Sequence, residues 1–189
     1  ACPWFTGVES IEQFVDAVHD RAKQKYVLKP TDGRGARGVL IIDGDIDLSW
    51  AFNESKSWGE SGQLILEKFV DGMQLSTESF LLDGVCYTPA ISARNYARTD
   101  QFKPNIIEDG GTIPADISDD LYVDINDLIL RGAKALGITH GLVKGDLVID
   151  KNGKPQIIEL AARISGGWFA SHQIPSASGV NFIDIVISY

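Results

Sequence analysis

Cysteine is almost absent: Cys2 and Cys86 are the only two in 189 residues. One pair gives neither the framework of a small secreted disulfide domain nor paired zinc spacing, so a reducing, cytoplasmic setting is the default expectation. Histidine is equally sparse. His19, His140 and His172 are scattered, with no HxxxH or His/Cys/Asp grouping for zinc, and nothing marks an activated Ser or Cys nucleophile. No apolar run approaches the ~20 residues that span a bilayer, and the amino end carries no signal-peptide pattern, so no membrane partner is expected. Positive charge is in deficit, with 17 Lys and Arg against 26 Asp and Glu and a net charge of -9. That argues against a general nucleic-acid partner and leaves room for a local basic pocket that takes a small anion. Internal repeats and low-complexity tracts are also lacking.

What is present is ordinary globular composition, 44% hydrophobic and 23% charged, in a length that suits one domain or two small lobes. Ala1–Gly7, with Pro3 and no periodicity, reads as a linker, and the chain as a piece of something longer. Ser10 and Gln13 form a capping-box signal for a helix over about residues 10–24, with Ile11, Phe14, Val15 and Val18 on one face. Tyr26–Pro30 reads as a strand. Gly33-Arg34-Gly35-Ala36-Arg37-Gly38 follows, formally a GxGxxG. A dinucleotide-binding fold would place a helix next, but Val39–Ile42 is a strand. A kinase loop has its lysine after the glycines, whereas Lys29 precedes them, and the GK[ST] of a P-loop is absent. Two readings remain: a flap that folds over phosphates, and a mobile surface hairpin. Further along come a short helix capped by Asp47, a strand at Leu64–Leu66, and a hairpin of Gln74–Leu82 with Val85–Ala93. Arg94–Ala115 is a long polar loop whose Arg94 and Arg98 either meet an anionic substrate or carry solvated charge. A long helix capped by Ser118 stops at Gly137, and a last helix is expected near Phe182–Ile187.

The chemistry concentrates in Gly141–Gly167, two strands joined at Asn152-Gly153, the pair that suits a type I′ turn. If those two residues are the turn, Lys151 faces Lys154 and Asp146 lies opposite Glu159. The same register sets Lys144 against Ala161 and Leu142 against Arg163. Opposed residues share a sheet face with Cβ atoms about 5 Å apart, so two carboxylates there need a cation between them. A divalent ion on oxygen ligands is one reading; a surface ion-pair cluster neutralised by Lys144 is the other.

In order, VLKPTDGRGARGV, ILEKFVDG, QLSTESFLLDG and GLVKGDLVIDKNGKPQIIELAARISGG resemble the ATP-grasp superfamily, near the carboxylate–amine ligases, the carbamoyl-phosphate synthase large subunit and phosphoribosylglycinamide-synthetase-like proteins. The resemblance implies an α+β fold, two lobes with antiparallel sheets that hold ATP: a linker over 1–8 from an upstream domain, a small lobe over 9–70 and a large lobe over 71–189. It implies that Lys29 reaches the α/β-phosphates. Gly33, Arg34, Gly35, Ala36 and Gly38 then belong to the flap. Glu67, Lys68, Phe69 and Val70 form the adenine hinge, Gln74 bonds the ribose hydroxyls, and Val148 and Ile158 are apolar walls. Asp146 and Glu159 hold Mg2+ (or Mn2+), and Arg163 steadies the transferring phosphoryl group with Lys144 nearby. Two departures stand out: Ala161 occupies the usual place of an Asn ligand, and Lys144 a place often held by His. The implied activity is ADP-forming ligation of a small-molecule carboxylate to an amine, completed by an upstream domain of the same full-length protein. The alternatives are a bicarbonate-phosphorylating enzyme of the carbamoyl-phosphate synthase or biotin-carboxylase kind, and a non-catalytic nucleotide-binding module. The oligomeric state, a homodimer included, is left open.

Overall fold

The structure, a computed structural model, describes residues 1–20, 24–44 and 46–189. The chain divides into two compact units, one of Pro3–Val70 with Tyr96–Asp109, the other of Ala1–Cys2, Asp71–Asn95 and Gly110–Tyr189.

The first unit is an antiparallel sheet backed by two helices. Its strands are β1 (Phe5–Val8), β2 (Tyr26–Pro30), β3 (Leu40–Ile42) and β4 (Leu64–Lys68), in spatial order β1-β4-β2-β3. The helices are α1 (Ile11–His19) and α2 (Leu48–Lys56). The capping box forms: Ser10 Oγ accepts from the Gln13 N–H, and Gln13 Oε1 accepts from the Glu9 N–H. The expected continuation of α1 to residue 24 lies in part outside the described residues. Phe14 and Phe52 bring the two helices onto Leu28, Leu40 and Leu66. Because side chains alternate along a strand, burying Tyr26 and Leu28 on the helix side puts Lys29 on the other face, and burying Leu64 and Leu66 does the same for Glu67. The linker expected over the first residues is corrected in part. Phe5–Val8 is a strand paired with β4, from Phe5↔Glu67 to Val8↔Leu64, and Val8 is buried. Four residues are too few to show a period.

The second unit is built around β5 (Gly72–Leu82), an 11-residue strand flanked by β9 (Gly141–Asp150) and β7 (Ile91–Arg94). The sheet order is β10-β9-β5-β7-β8, with β8 (Gly111–Thr112) and β10 (Pro155–Ala161) at its edges and β6 (Val85–Tyr87) paired to β5. Helix α4 (Asp119–Ala135), capped by Ser118, lays Ile125, Leu128 and Ile129 on Leu75, Val143 and Leu147. Phe80 packs on the opposite face among Phe169, Ala170, Ile174 and Phe182. Those four come from a π-helical turn (Phe169–Gln173) and helices near the carboxyl end of the chain. The long polar loop is more ordered than its composition implies. It contains α3 (Thr99–Phe102), and Pro104 O accepts from the Ile41 N–H at 2.7 Å, so residues 96–109 pack with the first unit.

Candidate functional site

In the first unit, Lys29 Nζ lies 2.6 Å from Glu67 Oε2, with both side chains largely buried. They are diagonal neighbours across β2 and β4, since Val27 pairs with Glu67 and Lys29 with Ile65. At the expected hinge, the Lys68 and Phe69 N–H groups already donate to Trp4 O and Lys25 O, so a ligand meeting the hinge finds these two donors engaged.

The glycine-rich segment does join two antiparallel strands, β2 and β3. Residues 33–37 are exposed, and Gly35, Ala36 and Gly38 adopt positive φ of 66°, 57° and 70°. Both ends of the loop are tied. Asp32 Oδ2 accepts from the Ser61 N–H at 2.7 Å, and that bond holds its carboxyl below the usual range. The buried Ser55 hydroxyl donates to Gly38 O at 2.7 Å, and Arg37 stands 5.6 Å over the Trp58 ring.

In the second unit, the pairing Asp146↔Glu159 and Lys144↔Ala161 is as counted, by a different route. The turn is not the two-residue one expected. Asp150 pairs with Lys154 through its N–H to Lys154 O, and the Gly153 N–H donates to Asp150 O, which leaves a three-residue loop with Gly153 at φ 77°. The Asp150 carboxylate explains the change. It accepts from the Asn152 and Lys154 N–H groups at 2.8 and 3.0 Å, and these bonds lower its pKa. The register near the turn is therefore one residue off, and a bulge at Ile158 restores it before Glu159. A second correction concerns Arg163. β10 ends at Ala161, so Arg163 does not pair with Leu142; its N–H donates to Ala161 O in the turn beyond the strand. Its guanidinium is half exposed, 3.8 Å from Glu159.

Two rows of side chains result on one sheet face. Ser76, Asp146 and Glu159 stand side by side on β5, β9 and β10, and Glu78, Lys144 and Ala161 form the next row. The Ser76 hydroxyl donates to Asp146 Oδ1 at 3.0 Å, and the buried Lys144 ammonium contacts Asp146 Oδ2. Gln74, opposite Val148, continues the face beyond Asp146, while Ile158 sits in the bulge. Sequence reasoning missed Ser76 and Glu78. Both have the parity of Gln74, a usable signal, but the β5–β9 pairing joins segments some 70 residues apart, which no local turn announces. Among the described residues, no group of three or more His, Cys, Asp or Glu gathers as a metal cage.

A family profile for the ATP-grasp domain matches residues 22–172. The chain belongs to the ATP-grasp family. A D-alanine–D-alanine ligase of Gloeobacter violaceus is 28% identical over 166 residues, which are 85% of this chain and 52% of that protein. Another, from Sinorhizobium fredii, is 24% identical over 155 residues, 81% of this chain and 50% of that protein. This ATP-grasp chain thus spans about half the length of the curated relatives it matches. Among solved structures, the VanG D-Ala:D-Ser ligase of Enterococcus faecalis superposes with a TM-score of 0.80 at 16% identity, covering all of this chain and 56% of that one. An L-amino acid ligase of Bacillus licheniformis gives 0.75 at 22% identity, covering 99% and 42%. These likenesses establish the fold, two α+β units with antiparallel sheets as the resemblance implied. No helix among the described residues is long and apolar enough to cross a membrane.

Proposed function

We propose that this ATP-grasp domain handles ATP for an ADP-forming ligase that activates a carboxylate as its acyl phosphate for attack by an amine, with amino acids as the substrate class. The observation that carries the reading is the row Ser76–Asp146–Glu159, with Lys144 against Asp146, on one sheet face of a chain in this family. The names of the curated relatives support amino acids over bicarbonate as the carboxylate.

In this reading Lys29 and the 33–38 loop take the phosphates, Glu67–Val70 the adenine, and Gln74 the ribose, with Val148 and Ile158 as apolar walls. Asp146 and Glu159 are hard oxygen donors directly opposed across two strands, a set that fits Mg2+ (or Mn2+) completed by phosphate oxygens. Bound there, the ion would offset charge on the transferring phosphoryl group. A carboxylate oxygen of one substrate attacks the γ-phosphorus, the bond to the β–γ bridging oxygen breaks, and ADP leaves. The amine nitrogen of the other then attacks the acyl carbon, phosphate departs, and the nitrogen gives up a proton. The chain's share is positioning and charge, through Lys29, Lys144, Arg163 and the loop amides.

The test is ADP release by the full-length protein with ATP, magnesium and a panel of D- and L-amino acids, with bicarbonate as control. ADP formed only with an amino-acid pair is expected. ADP formed with bicarbonate alone, or ATP binding without any turnover, would overturn the reading.

A further inference from the structure

Glu78 is a carboxylate buried to 0% exposure in the middle of β5, where a charge is costly unless it does something. Its surroundings are specific. Oε1 accepts the backbone N–H of Ser165 at 2.5 Å, a short bond across 87 positions of sequence. On the sheet, Glu78 stands opposite Lys144, itself 7% exposed, whose ammonium reaches the Asp146 carboxylate. Two buried atoms, Glu78 Oε2 and Ser165 Oγ, have no hydrogen-bond partner. The surroundings of Glu78 are thus polar and incompletely satisfied, unlike the apolar packing that would suit a purely structural site.

Ser165 lies two residues beyond Arg163, in the turn that follows β10. The contacts that otherwise restrain Arg163 are few: its N–H to Ala161 O at 2.9 Å, its guanidinium to Ile164 O at 3.2 Å, and the loose 3.8 Å approach to Glu159. The Arg163 turn therefore has one end held by the end of β10 and the other by Glu78. We propose that Glu78 is a positioning residue, which clamps the Ser165 amide so that Arg163 is presented beside Glu159 and the Lys144–Asp146 pair. The inference rests on the ligase reading for the consequence in turnover, though the clamp itself does not depend on it.

The clamp acts at a distance of two residues, so its loss displaces Arg163 without deleting it. Misplacement of about an ångström in a catalytic group can cost about 100-fold in rate. The experiment compares wild type, Glu78→Gln and Glu78→Leu. Gln keeps an acceptor for the Ser165 N–H and loses the charge; Leu loses both. In the 189-residue chain, the Ser165 amide proton is expected well downfield and slow to exchange. It should shift upfield partly in Gln and fully in Leu, and the Arg163 Nε–H signal should show increased mobility in the same order. In the full-length protein, kcat is expected to fall about 100-fold for Leu and less for Gln, with KM for ATP unchanged. An unshifted Ser165 amide would overturn the clamp. A shifted amide with unaltered Arg163 mobility would overturn the positioning role, as would equal losses in kcat and gains in KM. If Leu does not fold, Gln alone decides by the same signals. If wild type shows no turnover, the ligase reading fails, and the Ser165 and Arg163 signals still decide on Glu78.

Discussion

At the scale of single residues, what a titratable or charged group does depends on what surrounds it. Arg163 is half exposed and touches Glu159 only loosely, so its guanidinium is left accessible to a ligand. Its proposed contact tightens as charge develops on the transferring phosphoryl group. Arg163→Ala should therefore lower kcat of the full-length protein by about 100- to 1,000-fold, the range for losing one such donor, with KM for ATP nearly unchanged. Steady-state kinetics checks this, and an unchanged kcat with raised KM would assign Arg163 to plain ATP binding. Glu78 presents the opposite case. Burial pushes its pKa up, against hydrogen bonding from Ser165 and the charges of Lys144 and Arg163. A carboxyl whose folded pKa lies above its unfolded value favours the protonated fold. Stability is then greatest below the ordinary glutamate range, about pH 4.3, and is lost as pH rises through the raised value. Gln cannot ionise, so Tm of Glu78→Gln minus that of wild type should increase with pH across that window. Calorimetric scans at several pH values test it, and a constant difference would mean Glu78 does not titrate as its burial requires.

At the scale of elements, local signals were legible and their combination was less so. The caps at Ser10, Asp47 and Ser118 each form, because a cap depends on residues three apart. The turn at Asn152-Gly153 was misread because Asp150, just outside it, offers two backbone amides an acceptor that a two-residue turn would not use. The one-residue error cancels against the Ile158 bulge, and Asp146 still meets Glu159. A single-residue slip with no bulge would have put Glu159 on the wrong face. Asp150→Ala should release the turn to the two-residue form, with Lys151 opposite Lys154, no bulge, and Glu159 still opposite Asp146. Cross-strand NOEs between residues 151 and 154 would show it; persistence of the 150–154 pair would refute the explanation. The glycine loop shows the same dependence on distant partners. An added Cβ at Gly38 would sit 2.9 Å from the Trp58 side chain and 3.0 Å from Ser55 O, at a φ of 70° that side chains disfavour. Gly38→Ala should cost about 1–3 kcal/mol in urea unfolding, where an ordinary loop glycine would cost less.

At the scale of the whole molecule, the family was legible because its segments follow one another in a fixed order, which a reader of sequence can follow. The packing of residues 96–109 with the first unit was not, because it depends on backbone bonds such as Ile41 N–H to Pro104 O that carry no side-chain signature. The chain spans about half the length of its curated relatives, and we propose that the ligase acceptor site draws on residues beyond these 189. Every residue proposed for ATP and metal lies between Lys29 and Arg163, so on this proposal the nucleotide site is contained in these 189 residues. Amide formation needs more: an acceptor held in line with the γ-phosphate and an acyl phosphate kept from water, and such positioning supplies much of the rate. The 189-residue chain should therefore bind ATP with magnesium in calorimetry yet release ADP with amino acids far more slowly than the full-length protein. Binding should also slow hydrogen exchange over residues 33–37, whose exposed amides gain phosphate partners. Full ligase turnover by the 189 residues alone would show that the acceptor site is complete within them, and absent ATP binding would show that the nucleotide site is not.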